Sequence, residues 1–256
     1  MEAPELTSLT TTGDIIRLIL RRPPLNFLNL ELLRQLEEHL ESLGDDPGCR
    51  LLVVDSEGPA FSTGLEMSEQ TREAIFLLLE RFHHVVRLLH SVPRPTLAIV
   101  RGMALGAGNE LAACCDFVFA TEKSSFGQPE VKTGTIPSVA HLILPGLVGI
   151  RRATELILTG NLISAKEAEG IGLISRVVPE DKMRAATEDL ATSFRGLSAP
   201  VVALALLEVR ESRARSLEDR MRRAESIYLN QLMDLEDTGE GIRAFLEKRT
   251  PQWKNR

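Results

Sequence analysis

Two glutamates, Glu110 and Glu130, each end a glycine-containing turn. Glu110 closes the run that begins at Gly102 and passes through Gly106-Ala107-Gly108, and this run opens a helix near Asn109. Glu130 closes Phe126-Gly127-Gln128-Pro129-Glu130. Two carboxylates brought to one small site can divide proton work at a double bond, one taking a proton from water and the other giving one to carbon. Held close together they cannot ionise independently, so one acquires a raised pKa and stays protonated near neutrality. Taken singly, Glu110 also reads as an acid favoured by a helix N-terminus and Glu130 as a surface loop acid. A third glycine turn, Phe61-Ser62-Thr63-Gly64-Leu65-Glu66, precedes both.

The elements that must position these turns alternate. Asp14 to Leu20 reads as a strand, Asn29 as the cap of a helix from Leu30 to about Leu43, and Leu51 to Val54 as a short buried strand. A helix is expected from about Glu73 to His90, with Ile75, Leu78, Leu79, Phe82, Val86 and Leu89 on one stripe and Pro93 and Pro95 ending it. Thr96 to Val100 and Asp116 to Ala120 are further strands. Such alternation implies an α/β core with crossover connections. Beyond about residue 180 no β-branched run remains. The boundaries are therefore set at 1–180 for the α/β core and 181–256 for a helical assembly and lid region. In the stretch from Arg210 to Arg223, Glu208, Glu211, Glu218, Asp219 and Glu225 interleave with arginines, the pattern of a solvated, ion-paired helix face.

Composition narrows the classes. The chain has 256 residues, enough for one large core, and with 4% aromatics that core must be aliphatic. A net charge of −6 argues against a general nucleic-acid binder, though a local basic cluster can still meet an anionic ligand. No apolar run reaches membrane-spanning length, and the acidic start, Met1-Glu2-Ala3-Pro4-Glu5, lacks a signal or transit pattern. The three cysteines, Cys49, Cys114 and Cys115, form neither a disulfide framework nor a spaced metal set. Vicinal Cys114-Cys115 reads as small residues packing a buried helix face. A reduced, cytoplasmic protein with no metal is expected.

The three turns, in this order, resemble the signature of the crotonase (enoyl-CoA hydratase/isomerase) superfamily. The likeness spans nearly the whole chain: Arg22-Pro23 to Asn29, the turns themselves, Gly160 to Ala168 with Gly170-Ile171-Gly172-Leu173, and Phe245-Leu246-Glu247-Lys248-Arg249. It implies an α/β fold of the crotonase type, a superhelix of ββα turns followed by a C-terminal helical trimerisation region. It also implies an acyl-CoA thioester substrate, no separate cofactor because coenzyme A belongs to the substrate, and a homotrimer or homohexamer. A thioester needs its oxygen stabilised while charge develops there, which two backbone N–H groups can do without titrating. By the resemblance these are the N–H groups of Leu65 and Ala107, with Gly64, Gly106 and Gly108 allowing close approach. Leu65 and Ala107 depart from the commonest family residues, a small one and glycine, but the backbone supplies the bond in either case.

The resemblance further implies that hydratases use both glutamates while many isomerases keep only the equivalent of Glu130. Having both favours hydration, with Glu130 as proton partner to carbon and Glu110 holding water. A lysine common in the family just after the first turn is replaced by Met67-Ser68, so Arg22 and Lys248 are the candidates for the coenzyme A phosphates. Several segments, including Ser56 to Ser62, His83-His84, Leu144-Pro145 with Val148-Gly149, Tyr228 to Met233 and Ala244 to Arg256, are similar to the cyclic dienoyl-CoA hydratases within the superfamily. Where many hydratases continue from Thr135-Ile136-Pro137 into glycines, Ser138-Val139-Ala140-His141 stands, placing Ser138 and His141 at the acyl pocket. His83, His84 and His90 are expected on a helix surface. Two other readings stay open: a double-bond isomerase, and a non-catalytic acyl-CoA-binding subunit.

Overall fold

A computed structural model describes residues 4–44, 48–211, 231 and 234–256. Its strands are β1 (Thr7–Thr12), β2 (Ile15–Leu20), β3 (Leu51–Ser56), β4 (Thr96–Val100), β5 (Met103–Leu105), β6 (Phe117–Ala120), β7 (Ser125–Gly127), β8 (Ile163–Ser164) and β9 (Arg176–Val177). The helices are α1 (Leu30–Ser42), α2 (Ile75–Ser91), α3 (Ala107–Ala113), α4 (Ala140–Val148), α5 (Ile150–Thr159), α6 (Ala165–Gly170), α7 (Met183–Arg195), α8 (Ala199–Glu211) and α9 (Glu236–Glu247).

Six strands form the main sheet in the order β1-β2-β3-β4-β6-β9, and three form a second sheet, β5-β7-β8. From β2 to β9 the main sheet is parallel, so its strands are joined by crossovers. Successive side chains alternate between faces, which divides the apolar residues in two. Ile16, Leu18, Leu20, Leu52, Val54, Ala98, Val100, Val118 and Ala120 face the larger cluster, with Leu32, Leu33 and Leu36 of α1 and Leu78, Phe82 and Leu89 of α2. Ile15, Leu51, Val53, Leu97, Ile99 and Phe119 face the other way, where Met183, Leu190 and Ala191 of α7 cover them. The first helix past residue 180 is thus a layer of the core itself.

Most expected elements form close to their predicted bounds. Asn29 caps α1, its Oδ1 accepting from Leu32 N at 3.0 Å. On α2 the buried stripe is Leu78, Phe82, Val85 and Leu89, with Val85 taking the central place expected of Val86. α3 begins at Ala107, two positions before Asn109. The edge strand β1 was not foreseen. Its sequence, Thr-Ser-Leu-Thr-Thr-Thr, has no apolar period, yet it pairs antiparallel with β2 across the two-residue turn Gly13-Asp14. The short strands β5, β7, β8 and β9 were also missed, being two or three residues each. Among the described residues no single helix is long and apolar enough to cross a membrane.

Arg210 corrects the reading of a solvated helix face. Its side chain is 8% exposed and forks onto Asp116, Nε to Oδ1 at 2.9 Å and Nη2 to Oδ2 at 2.6 Å. Its remaining donors reach the carbonyls of His90, Val92 and Arg94. Glu218, Asp219, Arg223 and Glu225 lie outside the described residues, as does most of the Tyr228–Met233 segment. Asp116 also accepts from Thr96, so the fork ties α8 to the start of β4. Arg210→Ala strands a buried carboxylate, a loss of about 3–5 kcal/mol in unfolding free energy. Urea denaturation is the check; a loss well under 1 kcal/mol would show that the fork is not a clamp.

Candidate active site

The three turns meet at the carboxyl ends of the parallel strands, where open α/β sheets ordinarily bind ligands. Between Ser56 and Glu66 the chain leaves β3 and runs beside β5. Phe61 N donates to Met103 O at 3.0 Å and Leu105 N to Ser62 O at 2.9 Å. On the other side, Leu28 N donates to Gly64 O and Glu66 N to Leu28 O. Leu65 N, between them, is paired with no acceptor among the described residues. Ala107 is the first residue of α3, so its N–H has no partner within the helix. The two turns lie against each other: a Cβ at Gly64 would sit 3.6 Å from Ala107 N.

Two glycines here are required, Gly106 by its backbone conformation and Gly108 by space. Gly106 has φ 55 and ψ −130, a conformation closed to L side chains, and a Cβ there would meet Glu130 Oε1 at 2.9 Å. A Cβ at Gly108 would stand 2.2 Å from Ser62 O, which belongs to backbone and cannot swing away. The glycines therefore press the opening of α3 against the first turn.

Glu110, on the first turn of α3, is 1% exposed. Its Oε1 accepts from Val139 N at 2.7 Å and Ala140 N at 2.6 Å, and its Oε2 from the Ser138 hydroxyl at 3.2 Å. The carboxylate thus caps α4 from a different helix, beside the positive end of its dipole. Burial lifts the Glu110 carboxyl above its ordinary value, opposed by the N–H groups of Val139 and Ala140, by Ser138 and by His141. The backbone donors require an acceptor, and that favours the anion.

Glu130 lies in a 3-10 turn, Pro129–Thr133, stopped by Gly134 with φ 79. Burial pushes its carboxyl up to about 7, and the negative charge of Glu110 adds to the rise. Gln128, fully buried, was not singled out from the sequence. With its amide turned so that nitrogen meets acceptors and oxygen meets a donor, it donates to Glu130 Oε1 at 3.0 Å and Oε2 at 3.2 Å and accepts from Asn109 Nδ2 at 3.0 Å. The chain Asn109–Gln128–Glu130 links the helix bearing one glutamate to the other glutamate. The only signal in the sequence was the Gln-Pro-Glu tripeptide, where the position of Gln128 matters more than its type.

Both carboxylates line one cavity of about 750 Å3, together with Gly64, Leu65, Gly106, Ala107, Ser138 and His141. Leu25, Phe27, Leu79 and Ile136 make its walls mainly apolar. His83 belongs to that wall too, which corrects its expected place on a solvated helix face. His84, half-exposed, meets Glu41 at 3.3 Å. Three expected residues do not line the cavity: Gly108, expected in the substrate pocket, packs against Ser62 instead, and Arg22 and Lys248 lie elsewhere. Arg22 commits Nη2 to Glu66 at 2.8 Å and Nη1 to Phe27 O, so its guanidinium is already occupied. Lys248 stands exposed just past α9, in a left-handed conformation with φ 53. Cys114 and Cys115 lie just past the end of α3, half-buried and buried, which corrects their expected place on a buried helix face. Burial raises the Cys115 thiol well above the usual range, and its Sγ–H donates to Leu111 O at 3.8 Å.

The two packed sheets, the ββα succession and the covering helices define the crotonase fold, and solved structures bear this out. A Bacillus anthracis enoyl-CoA hydratase superposes with a TM-score of 0.90 at 29% identity, covering 98% of this chain and 100% of that one. Human enoyl coenzyme A hydratase domain-containing protein 3 superposes with a TM-score of 0.89 at 32% identity, covering 97% and 100%. The family model described as enoyl-CoA hydratase/isomerase matches residues 10–256, and the chain belongs to that family. Among its relatives, the cyclohexa-1,5-dienecarbonyl-CoA hydratase of Thauera aromatica is 34% identical over 97% of this chain and 96% of its own. A probable enoyl-CoA hydratase of Bacillus subtilis (strain 168) is 35% identical over 96% and 98%. Family membership makes an acyl-CoA the implied substrate.

Proposed function

We propose that the protein is a hydratase that adds water across the α,β double bond of a compact, cyclic conjugated acyl-CoA. The observation that carries this reading is the unequal environment of the two carboxylates in one cavity. Burial raises both carboxyls, but Glu110 is held by two backbone N–H groups and the Ser138 hydroxyl, which favour its anion. Glu130, with a single amide, that of Gln128, donating to it, is pushed up to about 7 and can carry a proton at neutral pH. The thioester oxygen would accept from the N–H groups of Leu65 and Ala107, drawing electron density from the β-carbon. Water held by Glu110 attacks that carbon, its oxygen forming the new C–O bond as Glu110 takes its proton. The electron pair of the double bond passes into the enolate, and collapse of the enolate takes the proton of Glu130 onto the α-carbon. Proton transfer from Glu110 to Glu130, directly or through solvent, restores the pair.

The preference for a compact acyl group has two supports. Leu65, Ser138 and His141 put side-chain volume on the cavity wall, and a rigid ring loses little freedom on binding. The name of the Thauera aromatica relative points the same way. In water labelled with oxygen-18, the product of a cyclic dienoyl-CoA should gain one labelled oxygen, with kcat/KM above that for crotonyl-CoA or a long-chain enoyl-CoA. Better turnover of long linear substrates would remove the cyclic reading and leave the hydratase. Migration of the double bond without label would instead make the protein an isomerase.

A trimer, single or paired, is the assembly proposed. Ile136, Leu142, Ile150 and Leu158, 67% to 79% exposed, all lie on or just before α4 and α5. Apolar side chains gathered there are costly in water and suit a subunit contact. Sedimentation should give three or six copies per particle; a stable monomer at micromolar concentration would overturn the assignment.

A further inference from the structure

The two oxygens of Glu110 are not equally free to meet a water molecule. Oε1 accepts from Val139 N at 2.7 Å and from Ala140 N at 2.6 Å, which fills both of its lone pairs. Among the described residues Oε2 accepts from the Ser138 hydroxyl alone, at 3.2 Å, and keeps a lone pair to spare. Water that gives a hydrogen to Glu110 must therefore come to Oε2, beside Ser138. The backbone N–H groups can only donate, whereas a hydroxyl that has donated its proton still carries lone pairs. Ser138 is half-buried, stands next to Val139, the cap residue of α4, and lines the same cavity as Glu110 and Glu130. It is open to the space that a substrate and its water would fill.

We propose that the Ser138 hydroxyl is a further catalytic residue of the hydration, accepting the second hydrogen of the water whose first hydrogen goes to Glu110. With both hydrogens tied to the wall, the lone pairs of the water oxygen face the β-carbon, a nucleophile oriented before reaction. In the step itself the C–O bond forms, the first hydrogen passes to Glu110 Oε2 and the electron pair of the double bond moves into the enolate. The hydrogen resting on Ser138 is not transferred; it stays on the oxygen and becomes the hydroxyl hydrogen of the product. The inference deepens the hydratase reading and rests on that reading for the reaction.

Ser138→Ala, Ser138→Cys and Ser138→Thr separate this role from a structural one. Cysteine keeps side-chain volume but is a weak acceptor, and threonine keeps the hydroxyl. Two reactions are compared in each protein: hydration of an enoyl-CoA, and exchange of the α-hydrogens of the saturated acyl-CoA in deuterium oxide at a pH where Glu130 is ionised. Exchange calls on Glu130 and the backbone N–H pair but on no attacking water. Hydration relative to exchange should fall about tenfold in Ser138→Ala and Ser138→Cys, the scale of one lost hydrogen bond, and return most of the way in Ser138→Thr. A residue that only shapes the cavity would slow both reactions together, which would overturn the inference. Methanol as nucleophile probes the contact itself, because it has one O–H hydrogen for Glu110 and none for Ser138. The ratio of water to methanol addition should therefore fall in Ser138→Cys. A role exercised only through Glu110 would leave that ratio unchanged and would likewise overturn the inference, with the hydratase reading intact. A wild-type protein that places no solvent oxygen in any enoyl-CoA would refute both.

Discussion

Replacing Glu110 or Glu130 by glutamine is expected to lower kcat for hydration by about a hundredfold or more, the usual scale of lost acid–base catalysis. Acyl-CoA affinity should survive, because the proposed thioester contacts are backbone N–H groups that neither change touches. Fold should survive as well. In Glu110→Gln the amide oxygen can still accept from Val139 and Ala140, whose N–H groups now lie 2.7 and 2.6 Å from Oε1. The wild-type rate should carry a matching signature. With Glu130 protonated at low pH and its carboxyl titrating at about 7, kcat/KM for hydration should decline as pH rises through that value. The charge on Glu110 contributes to the raised value, so the residual activity of Glu110→Gln should decline at lower pH than the wild type. Stopped assays across about pH 5 to 9 on the wild type and on Glu110→Gln make the check, with the range set by the ordinary and raised carboxyl values. Near-normal turnover in either variant would take that glutamate out of the chemistry.

Gly108→Ala should be nearly as damaging without removing any reacting group. The added methyl would stand 2.2 Å from the carbonyl oxygen of Ser62 and 2.7 Å from its carbon, so the opening of α3 must move off the first turn. Ala107 N–H then no longer points where Leu65 N–H points. Loss of one such donor is worth about a hundredfold in kcat, and the fall should appear in kcat more than in binding of the CoA portion. Gly170→Ala is the control, since a Cβ there meets nothing within 4 Å. Wild-type kcat in Gly108→Ala would mean that the proposed donor pair does not stabilise the transition state.

The parts legible in the sequence were those governed by local rules. β3 and β4 carry continuous apolar runs because parallel strands are covered on both faces, and β2 is interrupted by Arg17 alone. Asn29 caps α1 because its side chain reaches two residues past the start. The glycine turns were legible because steric demand leaves few alternatives at Gly106 and Gly108. What escaped depends on partners far away in the chain. β1 is a threonine run made into a strand by its register with β2. Arg210, in a charged stretch, is buried because Asp116 and three carbonyls converge on it from another layer. Gln128 and His83 gained their places only when α3 and α2 were set around the cavity. Arg22 and Lys248 carry the right charge for phosphate, but charge alone does not fix where a side chain points.

The manner in which Glu110 is held has a kinetic corollary. Its carboxylate is pinned to the start of α4, and the residues just before and within that start, Ile136 to Ser138 and His141, also form a wall of the cavity. A guest too bulky for the space must push this wall outward, and the wall takes the carboxylate proposed to hold water with it. Misfit is then registered as slow turnover of a molecule that still lodges well through its coenzyme A end. Oversized thioesters would act as occupants that block the enzyme, and the selection of acyl groups would be made during reaction rather than at the door.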